Sequence, residues 1–232
     1  MDLDRSIIEK VTREVVLQMT EARGGMSQEL PLHQGKLEIP VQVGVSVRHI
    51  HLCSQHIEIL FGAGHQLQVH ADLYQKGYYA AKEQLIVVGP KRGLEKVRVL
   101  GPPRAFSQVE LAQTDAVAVG LKLPVATEGS EPGTQPVTLV GPKGTVYLPG
   151  GKGGGAFIAR RHIHLSDIDA EKIGVKAGDL LDLYVDGLRP TTLHGIFVRV
   201  HKGWLAEVHV DTDEANAAGI KNGQICKLIV PR

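Results

Sequence analysis

The sequence predicts a mainly β protein with short helices: two similar β-barrel domains from an internal repeat, preceded by an N-terminal amphipathic helix. Three observations predict it. One motif occurs twice, as Arg48-His49-Ile50-His51-Leu52 and Arg161-His162-Ile163-His164-Leu165. From Leu37 onward, short β-rich runs alternate with Gly/Pro turn signals, the spacing of small barrels rather than of a parallel α/β sheet. Before that point, apolar residues recur at helical spacing instead.

Composition sets the outer limits. The chain has 232 residues, of which 43% are hydrophobic, enough for one large domain or two small ones with real cores. A formal net charge of +1 gives no electrostatic case for nucleic acid or an anionic membrane. No long apolar run and no signal-peptide pattern is present, and the expected location is cytoplasmic. The two cysteines, Cys53 and Cys226, make no disulfide framework, in keeping with a reducing compartment.

The first element is a helix over residues 1–22. Leu3, Ile7, Ile8, Val11, Val15, Val16 and Met19 form its apolar face, and Arg5, Glu9, Lys10, Arg13 and Glu14 much of the other. Residues 23–36 are polar and Gly-bearing and read as a linker. A helix on such a tether suits binding to another protein; the alternative is a helix docked on its own domain.

The β-rich runs follow: Val41–Val47, Gln84–Val88, Val97–Leu100, Val137–Val140, Leu180–Val185, Ile196–Val200 and Cys226–Val230. Gly89-Pro90, Gly101-Pro102-Pro103, Gly141-Pro142 and Pro149-Gly150-Gly151 punctuate them. The repeat extends beyond the histidine motifs. Val97-Arg98-Val99 resembles Val198-Arg199-Val200, and Val109-Glu110-Leu111 corresponds to Val208-His209-Val210. Short helices are expected at Ala112–Ala116 and Asp211–Ala215, ahead of Gly120 and Gly219. Gly150 to Gly155 marks the seam.

Side chains alternate along a strand, so a His-X-His pair presents both imidazoles on one face, about 7 Å apart at Cα. The repeat adds a third residue to each pair. This yields two candidate metal sets: His49, His51, Glu110 and His162, His164, His209. Three protein ligands with an open fourth position is the pattern of a catalytic zinc site, although imidazole and carboxylate also suit Co, Mn or Fe. Cys53 shares the alternation of His49 and His51, but its counterpart Ser166 is a poor ligand, so it reads as a buried small residue. His56, His65, His70, His194 and His201 have no repeat partner and read as non-ligands.

Arg104 follows the Gly101-Pro102-Pro103 turn and stands six residues before Glu110. A guanidinium there suits phosphate or carboxylate. Arg48, Arg161 and Arg199 also adjoin ligand-bearing strands. Lys152 sits among Gly150, Gly151, Gly153, Gly154 and Gly155, without the residue order of a P-loop.

Together, Val45-Ser46-Val47-Arg48-His49-Ile50-His51-Leu52, Gly101-Pro102-Pro103-Arg104, Leu139-Val140-Gly141-Pro142-Lys143-Gly144, Arg161-His162-Ile163-His164-Leu165 and His209-Val210-Asp211-Thr212-Asp213-Glu214-Ala215-Asn216 resemble the PduL-type phosphotransacylases, the phosphate propanoyltransferases of bacterial microcompartments. The resemblance spans nearly the whole chain after residue 37. It implies two β-barrels, one of residues 37–46 plus 156–232 and the other of 47–155. It implies two zinc ions per chain between them, on His49, His51, Glu110 and on His162, His164, His209. Phosphate would meet Arg104, and Arg199 falls on a further active-site position. The implied reaction interconverts acyl-CoA (propanoyl-CoA or acetyl-CoA) and phosphate with acyl phosphate and coenzyme A, by direct transfer. The resemblance also implies a homodimer inside a bacterial microcompartment, with the N-terminal helix addressing shell or cargo proteins. It departs from the family pattern at Ala126-Thr127-Glu128-Gly129-Ser130 and Gly133-Thr134.

Two other readings use the same histidines. A cupin-like metal oxygenase also carries His-X-His in a β-barrel, but its carboxylate follows within a few residues, and here the next is Glu58. A non-catalytic metal-binding microcompartment protein would hold metal without acyl transfer.

Overall fold

A computed structural model describes residues 36–231. The helix expected over 1–22, and the linker up to Gly35, lie outside the described residues.

The chain opens with β1 (Leu37–Ser46), β2 (His49–His51) and α1 (Ser54–Phe61). It continues through β3 (Val69–Asp72), β4 (Tyr79–Val88), β5 (Gly93–Gly101), β6 (Gln108–Glu110) and α2 (Gln113–Val119). Next come β7 (Val125–Ala126), β8 (Val137–Val140), β9 (Thr145–Leu148) and β10 (Ala156–Ala159). The last part holds β11 (His162–Leu165), α3 (Asp167–Ile173), β12 (Leu180–Val185), β13 (Thr191–Val200), β14 (Glu207–Asp211), α4 (Thr212–Ala218) and β15 (Ile225–Val230).

These strands make a closed six-stranded barrel, in the order β1-β14-β11-β13-β12-β15, and a nine-stranded sheet containing β2 to β10. Of the two barrels expected, one is thus closed and the other is an open, barrel-like sheet. In the second sheet, β7 pairs only with β10 and β9 only with β8. Its two sides approach through one bridge, Gln135 with Ala156, whose amides and carbonyls exchange hydrogen bonds of 3.0 and 2.8 Å. Two residues of β7 are too few to carry a ladder further round.

The two sheets bury separate cores. At the centre of one, Ile50 lies between Val99 and Val109; at the centre of the other, Ile163 lies between Val198 and Val208. All six are fully buried. Burying an aliphatic side chain of this size contributes about 1.5–3 kcal/mol. Because Ile50 and Ile163 face inward, alternation sends the flanking histidines out of the opposite face.

The pairings also correct one detail of the aligned repeat. Val99, not Val97, occupies the position beside Ile50 that Val198 occupies beside Ile163. Arg199 thus matches Leu100, and Arg98 matches Phe197. A slip of two residues keeps every side chain on its face, so the Val-Arg-Val pattern fits either way.

α2 and α4 form where short helices are expected. Asp211 accepts the Glu214 amide at 2.8 Å while Glu214 accepts the Asp211 amide, a capping box. The Asp213 carboxylate of α4 in turn accepts the amide and hydroxyl of Thr114 on α2, at 2.8 and 2.7 Å. α1 and α3 are additional. For α3 the signal is local: Ser166 accepts the Asp169 amide, and Gly174 ends the helix in the left-handed region. α1 follows Cys53, which gives no side-chain cap. There the strand has ended at His51, so Cys53 no longer continues the His49–His51 face, and it is half-buried rather than buried.

Candidate metal centre and substrate cleft

His49 and His51 come from β2, and Glu110 from the end of β6 directly opposite His49. Glu110 Oε2 lies 3.3 Å from His49 Nε2, and its Oε1 3.6 Å from His51 Nε2. His162 and His164 come from β11, and His209 from β14 directly opposite His162. In each set the ligating atoms lie within 4.8 Å of one another, close enough to hold one metal ion.

The surroundings fit a metal. His49 Nδ1 donates to the Val47 carbonyl and His162 Nδ1 to the Arg160 carbonyl, each at 2.8 Å, which leaves Nε2 of both rings as acceptors. Such backbone anchors fix ring orientation in metal sites. His51 Nδ1, His164 Nδ1 and His209 Nε2 are buried without a hydrogen bond of good geometry. Native proteins rarely leave buried polar atoms so.

The two sets differ in protonation. Burial lowers the His162 pKa to about 3, aided by His209, and that of His164 to about 2, aided by His209 and His162. Both rings are neutral at ordinary pH, as metal binding requires. In the other set, burial opposes charge on His49, but Glu110 and the Val47 carbonyl together outweigh it and raise the His49 pKa. Burial also acts against the Glu110 carboxylate, yet His49, His51 and Arg104 hold it well below the usual range. His51 is pushed well down by burial, His49 and Arg104. Without metal, Glu110 thus favours the charged form of His49, while burial favours the neutral form of His51.

Both sets line one cleft of about 1050 Å³. Arg104 and Arg199 line it too, with Gln75, Tyr78 and Trp204. Arg104 lies in the turn between β5 and β6, and its amide donates to the Leu52 carbonyl at 2.8 Å. Ser107, at the end of that turn, accepts the Cys53 amide at 3.0 Å and lies 2.7 Å from His56 Nδ1. The turn is therefore anchored to the segment that follows the first histidine pair. Desolvation lowers the Arg104 pKa somewhat, opposed by Glu110, but a guanidinium stays charged, and more than a third of the residue is accessible. Arg199 sits beside His164 on β13, 5.6 Å from the Trp204 ring centre.

Arg48 and Arg161 are used elsewhere, in ion pairs of 3.1 Å to Asp115 and 3.0 Å to Glu214 that tie each motif to its helix. Cys53 does not line the cleft. Glu58, the carboxylate of the cupin-like reading, is exposed on α1 and accepts the Gly64 amide at 3.3 Å. His65 pairs with Glu83 and His194 with Asp182, at 2.8 and 3.0 Å.

Four cleft residues were not singled out from the sequence. Gln108 donates to Glu110 Oε1 at 2.9 Å. Gln75 makes two hydrogen bonds to the Leu205 backbone, of 2.8 and 2.9 Å, linking the β3–β4 turn to the closed barrel. The Trp204 ring lies tilted by 33° over His164, with centres 4.1 Å apart. Glu207 lies 3.0 Å from His209. Gln108 and Glu207 did carry a signal, since each stands two residues before a third ligand and so shares its strand face. Gln75 and Trp204 lie in irregular loops, where spacing carries none.

Among the described residues, no helix is long and apolar enough to cross a membrane. A family model described as phosphate propanoyltransferase matches residues 42–221. The phosphate propanoyltransferase of Lachnoclostridium phytofermentans is 44% identical over 223 residues, covering 96% of this chain and 98% of its own. That of Planctopirus limnophila is 40% identical, covering 99% and 93%. That of Thermotoga maritima is 43% identical over 188 residues, covering 81% and 88%. With this match across the strands that carry both histidine pairs, the chain belongs to the phosphate propanoyltransferase family and is a phosphotransacylase enzyme.

Proposed function

We propose that the cleft interconverts acyl-CoA and phosphate with acyl phosphate and coenzyme A by direct transfer, with two zinc ions held by the two sets. The observation that carries this reading is that two three-residue donor sets and two arginines open onto one cleft. His49, His51 and Glu110 would hold one ion, and His162, His164 and His209 the other. Bound there, zinc would supply Lewis-acid polarisation of the carbonyl and an affinity for the departing thiolate.

The remaining work falls to side chains. The Arg104 guanidinium binds two phosphate oxygens and holds a third toward the thioester carbonyl. Arg199 adds positive charge on the closed-barrel side of the cleft. Phosphate as a dianion has an unprotonated oxygen for attack, so no side-chain base is required. The new C–O bond forms as the C–S bond breaks, and coenzyme A leaves with the electron pair. No acyl-enzyme is formed on a side chain.

The matched neighbours of Ile50 and Ile163 support descent of the two sheets from one repeated unit. The same reading assigns the first barrel to residues 37–46 plus 156–232 and the second to 47–155, although β10, at 156–159, pairs with β6 and β7. It also includes a homodimer, and a helix over residues 1–22 that directs the enzyme into a bacterial microcompartment. Deleting residues 1–22 from a fluorescent fusion tests this last part: encapsulation in shell-producing cells should be lost, and its retention removes the targeting role.

The central test is thiol release from propanoyl-CoA on protein whose zinc has been counted. The expected result is release that depends on phosphate, about two zinc per chain, and loss on chelation. Zinc without phosphate-dependent release would overturn the reaction; release that survives complete chelation would overturn the metal's part in it. An acetyl-CoA comparison then orders the acyl groups.

A further inference from the structure

Glu207 is a buried carboxylate at the start of β14, with a side chain only 7% exposed. Such a group is costly unless something pairs with it. Among the described residues, the one basic group within 4 Å is His209, whose Nε2 lies 3.0 Å from Glu207 Oε2. The oxygen is off the line of a ring N–H hydrogen bond, so the two groups touch without one.

Space for the carboxylate comes from β1. There Gly44 lies directly beside His209 and Gln42 beside Glu207. A Cβ on Gly44 would sit 2.8 Å from Glu207 Oε1, 3.1 Å from its Cδ and 3.5 Å from His209 Cε1. Gly44 does not have a positive φ, so its backbone would accept alanine. What excludes a side chain there is the Glu207 carboxylate.

The first set has a corresponding arrangement. Gln108 faces His51 as Glu207 faces His164, and Gln108 Nε2 donates to Glu110 at 2.9 Å. The chemistry is matched in each case: a carboxylate ligand has a neutral donor beside it, and an imidazole ligand has a carboxylate beside it. Glu207 is outside the group of atoms close enough to share one ion. It therefore stands behind His209.

We propose that Glu207, seated in the space left by Gly44, is a positioning residue that sets the ring orientation and proton position of His209 so that the three-histidine set binds its metal. His209 Nε2 faces the carboxylate, which leaves Nδ1 for the ion. Carboxylate–imidazole partners of this kind are worth about 10–100-fold in metal affinity. The inference rests on the metal reading of the cleft.

The experiment is zinc titration against a chromophoric chelator on wild type, Glu207→Ala, Glu207→Gln and Gly44→Ala, each loaded from the metal-free form. Wild type should bind two zinc. Glu207→Ala and Gly44→Ala should bind one as wild type does and the second about 10–100-fold more weakly. Glu207→Gln, with a carbonyl acceptor but no charge, should fall between. Cobalt substitution checks the assignment: the visible absorption of one ion should change and that of the other should not. Thermal melts of the metal-free variants establish that each folds, and Gly44→Ala and Glu207→Gln keep the test intact if Glu207→Ala does not. Two zinc at wild-type affinity in all folded variants overturns the role of Glu207 while leaving the metal reading in place. A wild type that takes up no zinc overturns both.

Discussion

His162 and His209 face each other across β11 and β14, with rings parallel to within 5° and centres 5.1 Å apart. Two imidazolium ions cannot share that arrangement cheaply. Burial and this neighbour together bring the His162 pKa to about 3, and His164 follows at about 2.

A stability profile follows, with a definite sign. Unfolded histidine titrates near pH 6.5, whereas His162 and His164 stay neutral far below it. As pH falls below about 6.5, the unfolded state takes up protons that the folded state refuses. Metal-free protein should therefore lose stability on the order of 1 kcal/mol per pH unit for each such group. Urea melts at pH 7, 6 and 5 check this, and a flat profile would contradict the assigned protonation.

The first set should behave differently on metal loading. His49 carries a raised pKa because Glu110 and the Val47 carbonyl together outweigh its burial. A metal must displace that proton, so affinity at this set should fall as pH drops through the raised pKa, with proton release on binding. Zinc titrations in weak buffer across pH 6–8 measure both. The His162, His164, His209 set should release less, because His162 and His164 are already neutral there.

Trp204 is the single tryptophan of the chain, and its ring lies against His164 with centres 4.1 Å apart. Its fluorescence should report the second set alone. Cobalt should quench it in wild type and in Glu110→Ala, but much less in His162→Ala, where the set loses a ligand. Equal quenching in both variants would separate Trp204 from that set.

Replacing Arg104 with alanine should raise the KM for phosphate about 10–100-fold, the loss of one or two charge-assisted hydrogen bonds. Zinc content should not change. An unaltered phosphate dependence would remove Arg104 from the site.

Gln75→Ala removes both hydrogen bonds to Leu205 and leaves its amide and carbonyl without that partner. A loss of about 1–3 kcal/mol in chemical denaturation is expected. Zinc binding by the isolated sets should be little affected, because Gln75 is in neither. Stability equal to wild type would show that the link contributes nothing.

Much of the candidate site was legible because strand geometry is periodic. Ile50 and Ile163 are apolar between histidines, and alternation alone puts both imidazoles of each pair on the face away from the core. The same rule reached Glu110 and His209 once the repeated Val-X pairs were aligned. It could have reached Gln108 and Glu207, two residues earlier on the same strands. Periodicity also has a blind spot: Val97-Arg98-Val99 matches Val198-Arg199-Val200 in sequence, although the observed register lies two residues away.

By itself, the sequence determined the β-rich class, the two histidine pairs and the side of the strand on which each lies, because these follow from local alternation and turn chemistry. Only the tertiary structure decided that one sheet closes and the other stays open, since closure depends on which distant strands find partners. It also brought Gln75 to Leu205, Trp204 to His164, and Gly44 to Glu207. Those contacts join segments with no shared period, and non-local packing alone places them.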